Sequence, residues 1–220
     1  MDHKLDPSKP ALYYRLRELI IDGSLRPGTA LSERALAEQL AAGRTPVREA
    51  VKALASDGLL DVVPQRGTFV RQISADDLRE IYELRLALEG MAAFLAAANG
   101  PSPALRDVSL RLRALASNPN TEDTSMTNAQ EMGWSLHEAI FESANNQRLW
   151  SAYSNLRHQS GLTLQRIRRY NYARIGDAVD EHLEIYDAIA SGDGDTARSL
   201  ICKHIKQSMK ERLDVFFDAS

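Results

Sequence analysis

"GRTPVREAVKALASDGLL", Gly43 to Leu60, places Arg44, Arg48 and Lys52 four residues apart. On a helix that spacing gathers the three cations on one stripe. Val47, Val51 and Leu54 form a separate apolar stripe for a core, which leaves the cations facing outward. Thr45 is a side chain suited to an N-cap, and Pro46 after it suits the first helical position, where a missing N–H costs nothing. Gly58 supplies the stop. A helix that buries one face and offers cations, with Arg44, Thr45 and Arg48 at its start, invites an anionic partner.

Working outward, "ALYYRLRELIIDGSL" (11–25) repeats apolar residues at Leu12, Leu16, Leu19 and Ile20 and ends at Asp22-Gly23, which predicts a helix closed by glycine. "RPG" turns the chain. In "LSERALAEQL" (31–40) Ser32 can cap a second helix, with Leu31 and Leu36 forming a hydrophobic staple. "AAG" then makes a tight turn. On the far side of Gly58, "LLDVVPQRGTFVRQI" (59–73) sets two runs rich in Val, Leu and Phe around "PQRG", the pattern of a β-hairpin. Three helices and a hairpin within about 65 residues is the layout of a winged helix-turn-helix. In that motif the second helix of the pair enters the major groove with its N-terminal residues at the bases, so Arg44, Thr45 and Arg48 are candidate DNA contacts. Arg34 would reach the backbone or groove edge, and Arg66 and Gly67 would bring the wing tip to the minor groove. Cations on an isolated exposed helix usually form only a solvated face; here cap, staple, turn and wing fall in register and favour double-stranded DNA.

From "SADD" (74–77), which has the form of a capping box, no strand pattern appears. The periodicity predicts six helices, near 75–98, 102–116, 125–144, 146–171, 175–191 and 194–217, with "SNPNTED" (117–123) as the one long polar loop. The expected fold is therefore mainly α, a winged helix-turn-helix over residues 1–73 followed by an all-α six-helix bundle over 74–220. The 220 residues are 44% hydrophobic and 26% charged, a globular composition. Residues 1–73 carry 11 Lys and Arg against 9 Asp and Glu, leaving 16 against 21 for the rest, a mild asymmetry that names no partner by itself. One cysteine, Cys202, excludes an internal disulfide framework and fits a reducing compartment. The start of the chain has no apolar stretch of a signal peptide, and "LALEGMAAFLAAA" (86–98) is broken by Glu89 and too short to span a bilayer. A cytoplasmic, membrane-independent protein is expected.

Three histidines of the helical region face apolar neighbours one turn away: Ile140 and Phe141 for His137, Val179 and Ile185 for His182, Leu200 and Ile201 for His204. Each alone reads as a hydrogen-bonded core histidine. Three on separate inward faces could instead hold a divalent metal such as zinc, nickel or manganese with positions left open for a small molecule.

"LSERALAEQL", "GRTPVREAVKALASDGLL" and "RGTFV" resemble the winged-helix domain of GntR-family bacterial transcription regulators. "IYELRLALEGMAA", "LHEAIFESANN" and "EHLEIYDAIASGD" with the later Ala and His resemble the FadR-type, or FCD, ligand-sensing domain. The resemblance spans about residues 10–210. It implies a homodimer on operator DNA and repression as the commoner outcome, while a divalent ion with open positions, or three histidines that can protonate, favours a small organic acid as effector. It also implies that His137, His182 and His204 are the metal ligands and that Arg85 touches the effector, against the alternative of a helix-surface pair between Arg85 and Glu89. One departure is plain: the family places an aspartate four residues before the first histidine, and here that residue is Gly133. No other carboxylate of the same segment shares its face, since Glu131 and Glu138 project elsewhere, so a metal would have three protein ligands, take a substitute from another helix, or be absent. Two rivals are a helical metalloenzyme fused to a DNA-binding module, disfavoured for want of a general base beside His137, and an effector-free architectural DNA binder. His3, His158 and the arginines between Arg166 and Arg174 receive no role.

Overall fold

The computed structural model describes residues 11–72, 74–117, 126–166 and 172–218. His3, Ile73, most of the "SNPNTED" loop, and the side chains of Glu131, His158 and the arginines from Arg166 to Arg174 lie outside what is described.

The first helix, α1 (Ala11–Ile21), buries Tyr13, Leu16 and Ile20 and stops at Gly23, whose φ of +83° suits a residue without a Cβ. β1 (Ala30–Leu31) follows, and then α2 (Glu33–Gln39), whose first turn is capped by Ser32 Oγ accepting from the Ala35 amide at 3.3 Å. Leu31 packs against the core that contains Leu36, as the staple requires. α3 (Arg44–Ser56) buries Val47, Ala50, Val51 and Leu54. Its start differs from the sequence expectation. Gly43, extended at φ −71° and ψ 155°, is the N-cap, and no side chain bonds there. The Val47 amide closes the first turn on the Gly43 carbonyl. Thr45 is therefore already helical, and Pro46 sits at the third helical position, where an N–H would have no acceptor within the helix.

β2 (Leu60–Val63) and β3 (Gly67–Val70) form the hairpin, with Val62 opposite Thr68 and Val63 opposite Gly67. The Arg66 amide donates to the Val63 carbonyl at 3.0 Å, with Pro64 at the second position and Gln65 at φ +62°, the pattern of a type II turn. β1 adds antiparallel to β3, giving a three-stranded sheet in the order β1-β3-β2. This strand is absent from the sequence reading because two residues are too few to show alternation. Tyr13 donates its hydroxyl to Asp57 Oδ2 at 2.6 Å, tying α1 to the end of α3; burial first, then that bond, pushes the phenol far above its ordinary range.

The remaining elements are helices: α4 (Ala75–Asn99), α5 (Pro103–Ser117), α6 (Met126–Ala144), α7 (Gln147–Arg166), α8 (Tyr172–Ala190) and α9 (Gly194–Asp218). Their bounds lie within three residues of those expected, and the expected end of α7 at residue 171 lies outside the described residues. α8 packs on α9, α5 and α6. Ala92, Ala93, Ala96 and Ala97 form the buried face of α4, where small side chains permit close approach, and Leu136, Ile140, Ile185, Ile189, Ile201 and Ile205 fill the interior. Asn99 Nδ2 donates to the carbonyls of Ser143 and Ala144, satisfying acceptors at the end of α6. By compactness the chain divides into two bodies. One runs to Asp77 and takes in 157–166; the other holds 78–156 and the chain from 167 onward.

α4 starts on the expected capping box. Ser74 Oγ accepts from the Asp77 amide at 3.0 Å, and Asp77 Oδ2 accepts from the Ser74 amide at 2.9 Å. Arg71 adds an ion pair to Asp77 Oδ1 at 2.7 Å. The bonds from Ser74, then Arg71, hold the Asp77 carboxyl below its ordinary value, so its contribution is complete at neutral pH and is lost as pH falls through the carboxylate range. Ser74→Ala should cost about 1 kcal/mol in urea unfolding at pH 7. A midpoint unchanged from that of the parent would show that the box adds nothing.

Candidate functional sites: an exposed cationic helix and a buried histidine cluster

Arg44, Thr45, Arg48 and Lys52 are all exposed on α3, outside its buried stripe. Arg48 Nε lies 3.3 Å from Glu33 Oε2 of α2, Lys52 Nζ 3.1 Å from Glu49, and Arg34 Nε 3.4 Å from Glu38. These acids did not enter the sequence reading. The pairs are solvated on both sides, where such contacts contribute only about 0–1 kcal/mol, so a phosphate or base edge can replace the carboxylate at little cost. Arg66 and Gly67 are exposed at the hairpin tip, and Gly67 adopts φ +113°, a backbone shape open to glycine and strained for other residues.

The three histidines come together. His137 of α6, His182 of α8 and His204 of α9 are 4%, 5% and 8% exposed. Their ring centroids stand 5.4 Å (137 to 182), 5.4 Å (137 to 204) and 4.5 Å (182 to 204) apart. One nitrogen from each lies within 4.8 Å of the other two.

Two carboxylates hold these rings. Glu89 of α4, with no exposed surface, accepts from Arg85 Nε at 2.6 Å through Oε1 and pairs through Oε2 with His137 Nδ1. Glu181 Oε2 meets His204 Nδ1 at 2.6 Å. The expectation that no carboxylate stands beside His137 is therefore corrected. The acid comes from another helix, which no reading of α6 alone could show, and the enzyme rival loses that objection. Nor is the Arg85–Glu89 pair on the surface, since Arg85 is 4% exposed. Its guanidinium carbon lies 5.0 Å from the Tyr82 ring centroid and 5.5 Å from that of Trp134, a cation stacked between aromatic faces. Tyr82 in turn bonds Ser208 Oγ at 3.1 Å.

The electrostatics follow from burial. Desolvation alone would raise the Glu89 carboxyl, but Arg85 first and then His137 outweigh it and bring it down to about 2. Arg85, which burial would discharge, is kept charged by Glu89. Burial, against the opposing bond from Glu181, pushes His204 below the usual histidine value, so its imidazole is neutral at pH 7 and can give a lone pair. A carboxylate at Nδ1 of both His137 and His204 favours the Nδ1–H tautomer and leaves Nε2 as the donor atom, the support commonly seen behind metal-bound histidines. The donor set thus fits a divalent ion held by His137, His182 and His204. Tyr153, ring-stacked on Phe141 at 4.1 Å, has its hydroxyl buried without a hydrogen bond among the described residues; burial, then Glu89, raises it well above its ordinary value.

Two family models match the chain. Residues 80–207 match the family model of the FCD domain, and residues 9–70 that of bacterial regulatory proteins, gntR family. The HTH-type transcriptional repressor RspR of Escherichia coli (strain K12) is 27% identical over 94% of this chain and 91% of its own. The gluconate operon transcriptional repressor of Bacillus subtilis (strain 168) is 27% identical over 91% of this chain and 82% of its own. A crystal structure of a GntR transcriptional regulator from Rhodococcus sp. RHA1 superimposes with a TM-score of 0.66 at 29% identity, covering 92% of this chain and 96% of that one.

Glu89→Ala would strand the Arg85 guanidinium in the core. The expected loss in urea unfolding is about 3–5 kcal/mol; a loss under about 1 kcal/mol would mean that water already solvates Arg85.

Proposed function

The chain belongs to the gntR family of bacterial regulatory proteins and carries an FCD domain, so it is a transcription regulator, and we propose that it represses its operator as a homodimer and releases or tightens it on binding a small carboxylate. Residues 1–73 read DNA, and residues 74–220 sense the effector and dimerise. Arg44, Thr45 and Arg48 meet base edges and phosphates at the start of the recognition helix, where an arginine can bond both O6 and N7 of guanine. Arg34 contacts the backbone, and Arg66 and Gly67 approach the minor groove. Two-fold related half-sites about one helical turn apart, or a multiple of it, match a two-fold dimer.

The observation that carries the sensing half is the buried meeting of three imidazoles from three helices beside the charged Arg85. Bound there, a divalent zinc, nickel or manganese ion supplies an electrophilic centre for a carboxylate oxygen. His137, His182 and His204 hold it, and Arg85 offers the acid a second contact. The protein works in the cytoplasm, where operator DNA is; among the described residues no helix is long and apolar enough to cross a membrane. Regulation requires that the acid bind the DNA-competent and DNA-incompetent states unequally.

Operator sequences selected from random duplex DNA by the full-length chain should show inverted half-sites. On such a duplex at fixed salt, Arg44→Ala and Arg48→Ala should each lose about 1–3 kcal/mol of specific binding, and sedimentation should find two chains per site. Both variants binding as tightly as the parent, or one chain on the operator, would contradict the assignment.

A further inference from the structure

The supports of the histidine cluster are unusual at one point, and the geometry there is specific. Gly133 of α6 faces the His182 ring: a Cβ at position 133 would stand 3.0 Å from Cε1 and 3.9 Å from Nδ1 and Nε2. A contact that tight forces a shift, and the neighbour is a rigid ring whose placement decides whether it belongs to the cluster. A side chain at position 133 therefore requires the His182 ring to give by a few tenths of an ångström. The resembling family keeps its aspartate at this same position. The acid beside His137 comes from α4 instead, where Arg85 fixes one oxygen of Glu89 at 2.6 Å and leaves the other for Nδ1 of His137. Glu181 plays the same part for His204.

We propose that Gly133 gives His182 its place, that Glu89 orients His137 from α4, and that, among the described residues, three imidazoles alone face the ion. Glu89 is thus a positioning residue that keeps the proton on Nδ1 and the lone pair of Nε2 toward the cluster. The inference rests on the metal reading given above. It has the consequence that an aspartate at position 133 would crowd His182.

The test uses the full chain stripped of metal and titrated with Co2+, followed by its visible absorption and by competition with Zn2+. Gly133→Ala leaves all three histidines, Arg85 and Glu89 in place. A glycine-to-alanine change inside a helix ordinarily raises stability, so weaker Co2+ binding without a lower Tm marks displacement of His182. We expect at least a tenfold loss of affinity, and Gly133→Asp should bind no more tightly than the parent. Glu89→Gln turns the bond at Nδ1 around, because the amide donates where the carboxylate accepts. Imidazole 15N spectra of the metal-free chain should then show His137 changing from the Nδ1–H to the Nε2–H tautomer, with Co2+ affinity down by about 10- to 100-fold. If Glu89→Gln does not fold, the two Gly133 variants decide. Parent-like affinity in Gly133→Ala, tighter binding in Gly133→Asp, or an Nε2–H tautomer at His137 in the parent would each overturn the proposal. A parent chain that binds neither Co2+ nor Zn2+ would sink the metal reading beneath it, whereas parent binding with unchanged variants would sink only the account of the supports.

Discussion

A guanidinium and a carboxylate taken from water each lose several kcal/mol of hydration, and Arg85 and Glu89 lose nearly all of theirs in the middle of α4. They persist because each neutralises the other at 2.6 Å across one helical turn, while Tyr82 and Trp134 cover the cation and His137 takes the second carboxylate oxygen. An apolar pair of the same volume would hold α4 at least as well, so stability does not explain this arrangement. The pair fixes a charge of known sign, and an imidazole of known orientation, at one spot in an otherwise apolar core. Around Glu89, committed to Arg85 and His137, stand the other polar groups of the core: Glu181 on His204 and His182 over Gly133.

The DNA-reading half obeys the opposite rule. Its cations sit on the outside, held by solvated carboxylates such as Glu33 and Glu38, and the residues that place them are apolar. Val47, Val51 and Leu54 lock α3 against α1 and α2, so the exposed side chains project from a rigid element. One half holds its charges strongly in the dark of the core. The other keeps them loosely paired in water, where exchange for phosphate is easy.

How much of this is legible in the sequence depends on the range of the interaction. Features set by neighbours along the chain read well: the Ser32 cap, the Ser74 to Asp77 box, the buried stripe of α3 and the hairpin at "PQRG" all stand where pattern and turn chemistry put them. The start of α3 fails because both Thr45 and Gly43 can take a capping position, and the choice was made by the backbone of the preceding turn, where Ala41 adopts φ +49°. β1 fails because its two residues owe their conformation to β3, more than thirty positions away. The three histidines read correctly as inward-facing, since the helical period alone determines that. Their carboxylate partners do not, because Glu89 lies 48 positions before His137 and meets it only after α4 and α6 are folded. Glu89 did carry a signal: a lone acid inside "LALEGMAAFLAAA" has to find a partner, and Arg85 one turn earlier accounts for only one of its oxygens.

X-ray absorption at the metal edge of the full-length chain, loaded with one equivalent of zinc, tests the central claim most directly. The account predicts three imidazole donors at about 2.0–2.1 Å, with any further ligand being oxygen from solvent or added carboxylate. Fewer than three imidazoles, or a sulfur shell from Cys202, would contradict it.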